Sequence, residues 1–61
     1  MKIIEIKDKF GDTIYTSPEN ISFIEKHERE NYYTIYFNNQ EVRHITPVIF
    51  IDLIKLLRKE D

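Results

Sequence analysis

Short apolar runs alternate with polar breaks along this chain, and the period of the pattern changes once, from about two residues to about 3.6. The opening "MKIIEIK" puts Ile4 and Ile6 on one side of an extended segment and Ile3 on the other, which predicts a first strand. "DKFGD" then supplies the single glycine, Gly11, where a tight turn needs positive φ. "TIYT" returns as a second strand and closes a hairpin. "SPEN" predicts one helical turn, with Ser17 as its cap, Pro18 in the first position and Glu19 at the positive end of the dipole. In "ISFIE", the third strand, apolar residues at both 23 and 24 break the alternation and predict a bulge or burial on two sides.

"KHERE" predicts a charged, exposed turn, and "YYTIYF" a strand with aromatics on both faces. Asn38 and Asn39 read as a two-residue turn, since asparagine tolerates the left-handed region. That turn pairs Ile35 with Val42, Tyr33 with His44, Thr34 with Arg43 and Tyr32 with Ile45. On this register Tyr33, Ile35, Phe37, Val42 and His44 face a helix, while Tyr32, Tyr36, Arg43 and Ile45 occupy the far face.

The helix is the clearest element. In "TPVIFIDLIKLLRKED", Thr46 is the N-cap and Pro47 the first helical residue. Phe50, Leu53, Ile54 and Leu57 form a stripe widened by Ile49 and Leu56, opposite Asp52, Lys55 and Lys59. Val48 and Ile51 lie beside the polar side, where one sheet does not cover them. The expected fold is α+β: a single domain over residues 1–61, with a small antiparallel sheet of about five strands packed on one C-terminal helix.

Composition sharpens the functional reading. A 61-residue chain without cysteine has a small core and no disulfide to brace it, which favours assembly with itself or with another protein. Nine Lys and Arg against eleven Asp and Glu leave a net charge of −2, so general attraction to nucleic-acid phosphates is not expected. Early acidic residues and the lack of a long apolar stretch argue against a signal peptide or a membrane span, and point to the cytoplasm. Eleven isoleucines favour strands and, with the lysines, suit an AT-rich bacterial or phage genome.

No catalytic pattern emerges. His27 reads as a solvated turn residue and His44 as a hydrogen-bonded one beside Tyr33; no third ligand joins them, so neither metal nor cofactor is expected. Ser17 and Ser22 lack a partner base, and one glycine cannot build a phosphate loop. The candidate contact residues are Tyr32, Tyr36, Arg43 and Ile45 on the far sheet face, with Val48 and Ile51 on the helix back. Tyr and Arg are enriched in protein interfaces, and aromatics beside a guanidinium also stack on single-stranded bases. A protein partner or a second copy is the first expectation, and nucleic acid on the outer sheet face the second.

Two resemblances bear on this. "IYTSPENISFIEKHERENYYTIYFNNQEVRHI" resembles the first half of a LytTR DNA-binding domain, in which a strand ending in Ile-Glu precedes a hairpin and a helix. The later LytTR segment that supplies much of the DNA contact has no counterpart in these residues. Over its whole length the chain is similar to the FlbD-like family of small flagellar-associated regulators, through Asn20-Ile21, Glu25, Thr34-Ile35 and Asn39, with Gln40 where that family usually has glycine. This second resemblance implies a regulatory protein that is not an enzyme.

Overall fold

Strict alternation in the first segment becomes β1 (Ile4–Lys7), with Ile4 and Ile6 buried and Glu5 and Lys7 exposed. The computed structural model, which describes residues 2–58, pairs β1 antiparallel with β2 (Thr13–Thr16), Ile6 opposite Ile14. The connecting turn is organised by Asp8, whose carboxylate accepts the Phe10 and Asp12 backbone N–H groups, each at 2.9 Å. Gly11 has φ 93°, the conformation its place in the turn predicted.

The single turn at Pro18–Asn20 is a 3₁₀ helix. Ser17 precedes it but makes no side-chain cap; its carbonyl instead accepts the Asn20 N–H at 3.0 Å. β3 (Ile21–His27) and β4 (Tyr32–Phe37) pair antiparallel, and β4 pairs on its other side with β5 (Val42–Ile45). The expected bulge lies between Ile21 and Phe23, so Ile21 sits opposite Phe37 while Phe23 sits opposite Tyr36. Consequently Ile21 and Ile24 face the helix, while Phe23 stacks on Tyr36. "KHERE" is a turn only from Glu28 onward, because Lys26 and His27 belong to β3.

Helix α1 (Pro47–Arg58) begins as its sequence requires. The Thr46 hydroxyl accepts the Ile49 N–H at 3.3 Å and its carbonyl accepts the Phe50 N–H at 2.9 Å. Leu53 is fully buried, with Ile49, Phe50, Leu56 and Leu57 packed around it. Lys59, expected on the polar side, lies outside the described residues.

The five expected strands and the C-terminal helix give an α+β fold, but the strands divide into a β1–β2 sheet and a β3–β4–β5 sheet. The Lys9 N–H donates to the His44 carbonyl at 2.7 Å and joins the hairpin to β5. Ile4 and Ile6 from one sheet and Ile35, Phe37 and Ile45 from the other close on Leu53 in a single core.

One register differs from expectation, with wide effect. The loop after Phe37 has three residues, not two: the Gln40 N–H donates to the Phe37 carbonyl at 2.9 Å, and the Phe37 N–H donates to the Glu41 carbonyl at 3.0 Å. Gln40 takes the left-handed conformation, φ 73°, that such a loop needs in its last position. Asn38 holds the loop in place, its N–H donating to the Asn20 carbonyl and its side-chain amide to the Glu19 carbonyl, both at 2.7 Å. A one-residue slip turns every side chain of β5 to the other face. Ile45 therefore lies opposite Tyr33 with no exposed surface, and Arg43 lies opposite Ile35 on the helix side. Val42 and His44, expected inside, share the far face with Tyr36 and Thr34.

Candidate functional site

The far face of the three-stranded sheet carries a linked set of polar and aromatic side chains. At its centre is Thr34, only 1% exposed. Its hydroxyl lies 2.7 Å from Nε2 of His27 and 3.0 Å from Nδ1 of His44. A hydroxyl has one proton and accepts two bonds, so Thr34 can accept from both ring nitrogens, or accept from one and donate to the other, according to the tautomers of the two imidazoles. His27, expected to be solvated, instead ends β3 and stacks on Tyr32 with centroids 4.3 Å apart. The Tyr32 ring also has the Lys9 ammonium 4.4 Å from its centroid and the His44 edge at 5.4 Å. Both histidines thus belong to one packed array, and among the described residues no set of three His, Asp or Glu side chains is placed to hold a metal ion.

Tyr36 is engaged in the same way. Its ring stacks on Phe23 at 4.4 Å between centroids, and its hydroxyl donates to the Glu25 carboxylate at 2.9 Å. That hydrogen bond, together with desolvation and the Glu25 charge, holds the phenol pKa above its ordinary value. Tyr32 and Tyr36 share a face as expected, but their rings are spent on Lys9, His27 and Phe23. Arg43 is not with them: its guanidinium donates to the Val42 carbonyl at 3.0 Å and pairs with Glu41 at 3.7 Å. Ile45 cannot form part of any contact surface, because it is core.

The opposite side of the molecule is different. Between β3 and α1 runs an open groove of about 510 Å³, lined by Ile21, Phe23, Ile24, Lys26, Tyr33, Phe50 and Ile54. Its floor is the flat stack of Tyr33 on Phe50, at 3.8 Å between centroids. The groove exists because β4 carries an aromatic where the helix begins, and because β3 lies at the sheet edge with Ile21 and Ile24 turned inward. Six of its seven lining residues are apolar or aromatic, and none is fully buried.

Ile51 is outside the lining of the groove. It stands three residues before Ile54, on the adjoining helical row, and is 53% exposed. Val48, one turn earlier, is 68% exposed but lies farther round the helix. Of the six contact residues read from the sequence, Tyr32 and Tyr36 lie on the far face, and Arg43, Ile45, Val48 and Ile51 line neither that array nor the groove, Ile51 standing exposed beside it. Sequence periodicity pointed to Phe50 and Ile54 only as core; the bulge at Ser22, which leaves Ile24 beside them, was the signal that β3 would not cover them. A second, smaller depression of about 220 Å³ separates β1 from the other flank of α1, near Ile6, Ile49, Asp52 and Leu56.

No helix among the described residues is long and apolar enough to cross a membrane. No protein-family model matches the chain, and neither the curated proteins nor the solved structures provide a match.

Proposed function

We propose that this chain is a non-catalytic interaction module, a small cytoplasmic regulator or inhibitor of bacterial or phage origin that acts by binding another protein through the groove between β3 and α1. The observation that carries the reading is the apolar groove lined by Ile21, Ile24, Tyr33, Phe50 and Ile54, with Ile51 exposed one turn before Ile54 on the helix. Apolar side chains left open around a pocket are a usual mark of a protein contact site. The likeness to FlbD-like regulators agrees with a role without chemistry of its own.

The nucleic-acid reading has less support. Tyr32 is already engaged by His27 and Lys9, Tyr36 has one face stacked on Phe23, and the Glu25 carboxylate that Tyr36 holds repels phosphate. Lys26 and Arg43 stand on the two outer strands of the sheet, each beside an acid, Glu28 and Glu41 respectively.

A photoreactive residue at Ile54 tests the proposal, with a control at Tyr36. Cross-linking in a lysate of the source cells is expected to give a defined protein adduct from position 54, lost when Ile24→Lys is added. Adducts from position 36 alone overturn it.

A further inference from the structure

We infer that the occupant of the groove is an acidic amphipathic helix presented by another protein, an inference that rests on the groove being the contact surface. Charge around the groove supplies the first argument. Lys26 lines the end nearest Phe50, where Tyr33 begins the floor. Arg58 stands one turn beyond Ile54 on the same helical row, and Lys55 one turn beyond Ile51. Phe50 and Arg58 are eight residues apart on α1, so Arg58, one turn past the last lining residue Ile54, stands roughly 12 Å of helix axis from the Phe50 end, about two turns of an occupant. The acid of this helix, Asp52, faces the depression on the opposite flank. Glu28 reaches Lys26 at 3.8 Å, an exposed pair that a partner carboxylate can displace at small cost. An apolar floor with Lys26 in its lining and Arg58 one turn past its far end fits an apolar stripe bordered by Asp or Glu.

Shape supplies the second argument and sets a helix above a strand. A partner strand would need the free edge of β3, which pairs only with β4 among the described residues. That edge is interrupted by the bulge at Ser22 and carries Glu25 and Lys26 side by side, the features that discourage edge pairing. Contact must then come from side chains entering the groove, as an amphipathic helix provides with its i, i+3, i+4 and i+7 positions. A second copy is disfavoured by the same charges. A twofold contact places identical surfaces together, so Lys26 and Arg58 of one copy would meet Lys26 or Arg58 of the other.

Two synthetic amphipathic peptides of about 18 residues, long enough to hold a helix, provide the test. They share one leucine stripe, flanked by Glu in one and by Lys in the other. Fluorescence titration of the full chain is expected to show saturable binding of the Glu peptide, weakened by salt, and binding of the Lys peptide at least about tenfold weaker. The double variant Lys26→Glu, Arg58→Glu, whose sites are exposed or on the rim, is expected to reverse that order. Equal binding of the two peptides, binding of neither, or no reversal overturns the inference. So does a dimer in sedimentation that Ile54→Lys dissolves, because the occupant is then a second copy. The photoreactive residue at Ile54 separates the two levels: a protein adduct with no Glu-peptide preference removes the acidic helix but keeps the groove, and loss of both removes the groove.

Discussion

Tyr33 lies flat on Phe50, with 3.8 Å between ring centroids and 5° between their planes, and this one contact ties β4 to the first turns of α1. The pair forms the groove floor and also anchors the helix. Removing one ring therefore loses its stacking and part of its buried area. Phe50→Ala is expected to destabilise the fold by about 2–4 kcal/mol, read from urea unfolding. A loss below about 0.5 kcal/mol would mean that the stack is not formed in solution.

The register of β5 makes opposite predictions for neighbouring residues. Ile45 has no exposed surface and Val42 is 39% exposed. Ile45→Ala is expected to cost about 2–5 kcal/mol, and Val42→Ala less than about 1 kcal/mol. The reverse order would restore the two-residue turn and place Val42 against the helix.

Thr34 is buried with two imidazoles on its hydroxyl. Thr34→Val keeps the shape and leaves two ring nitrogens without that partner. The expected loss is about 1–3 kcal/mol, whereas Thr34→Ser, which keeps the hydroxyl, loses mainly one methyl of packing, about 1 kcal/mol. A Thr34→Val variant as stable as the parent chain would show that the hydroxyl contributes nothing.

The Glu25–Tyr36 bond sets a pH dependence. The folded phenol ionises above its unfolded value, chiefly because its hydroxyl donates to Glu25. Its stabilising contribution is therefore complete below the unfolded tyrosine pKa of about 10 and disappears as pH rises through the higher folded value. Glu25→Gln is expected to bring the Tyr36 ionisation down toward the ordinary tyrosine range, followed by carbon NMR of Tyr36 Cζ. An unmoved titration would contradict the hydrogen bond.

Much of this architecture was legible from residue type and spacing. Ile4 and Ile6 alternate with Glu5 and Lys7, Gly11 occupies the positive-φ turn, and Thr46-Pro47 opens the helix, because each is a local preference that the fold obeys. The loop after Phe37 was not legible. Asparagine serves in two- and three-residue turns alike, and Gln40 at φ 73° gives no warning of a left-handed residue. That single ambiguity exchanged Val42 and His44 for Arg43 and Ile45, and so hid the meeting of His27, Thr34 and His44. The groove itself was not legible: the apolar excess evident on the helix at Ile51 lies outside its lining, and which residues stayed open depended on the bulge at Ser22 and on β3 lying at an edge.

The eleven isoleucines make the central claim directly measurable. Isoleucine-methyl NMR of the labelled chain, titrated with the protein captured through position 54, reports which surface is covered. Shifts are expected at Ile21, Ile24, Ile51 and Ile54, with Ile3 and Ile14 unmoved. Shifts confined to Ile3 and Ile14, or none in the groove at saturation, would contradict a contact between β3 and α1.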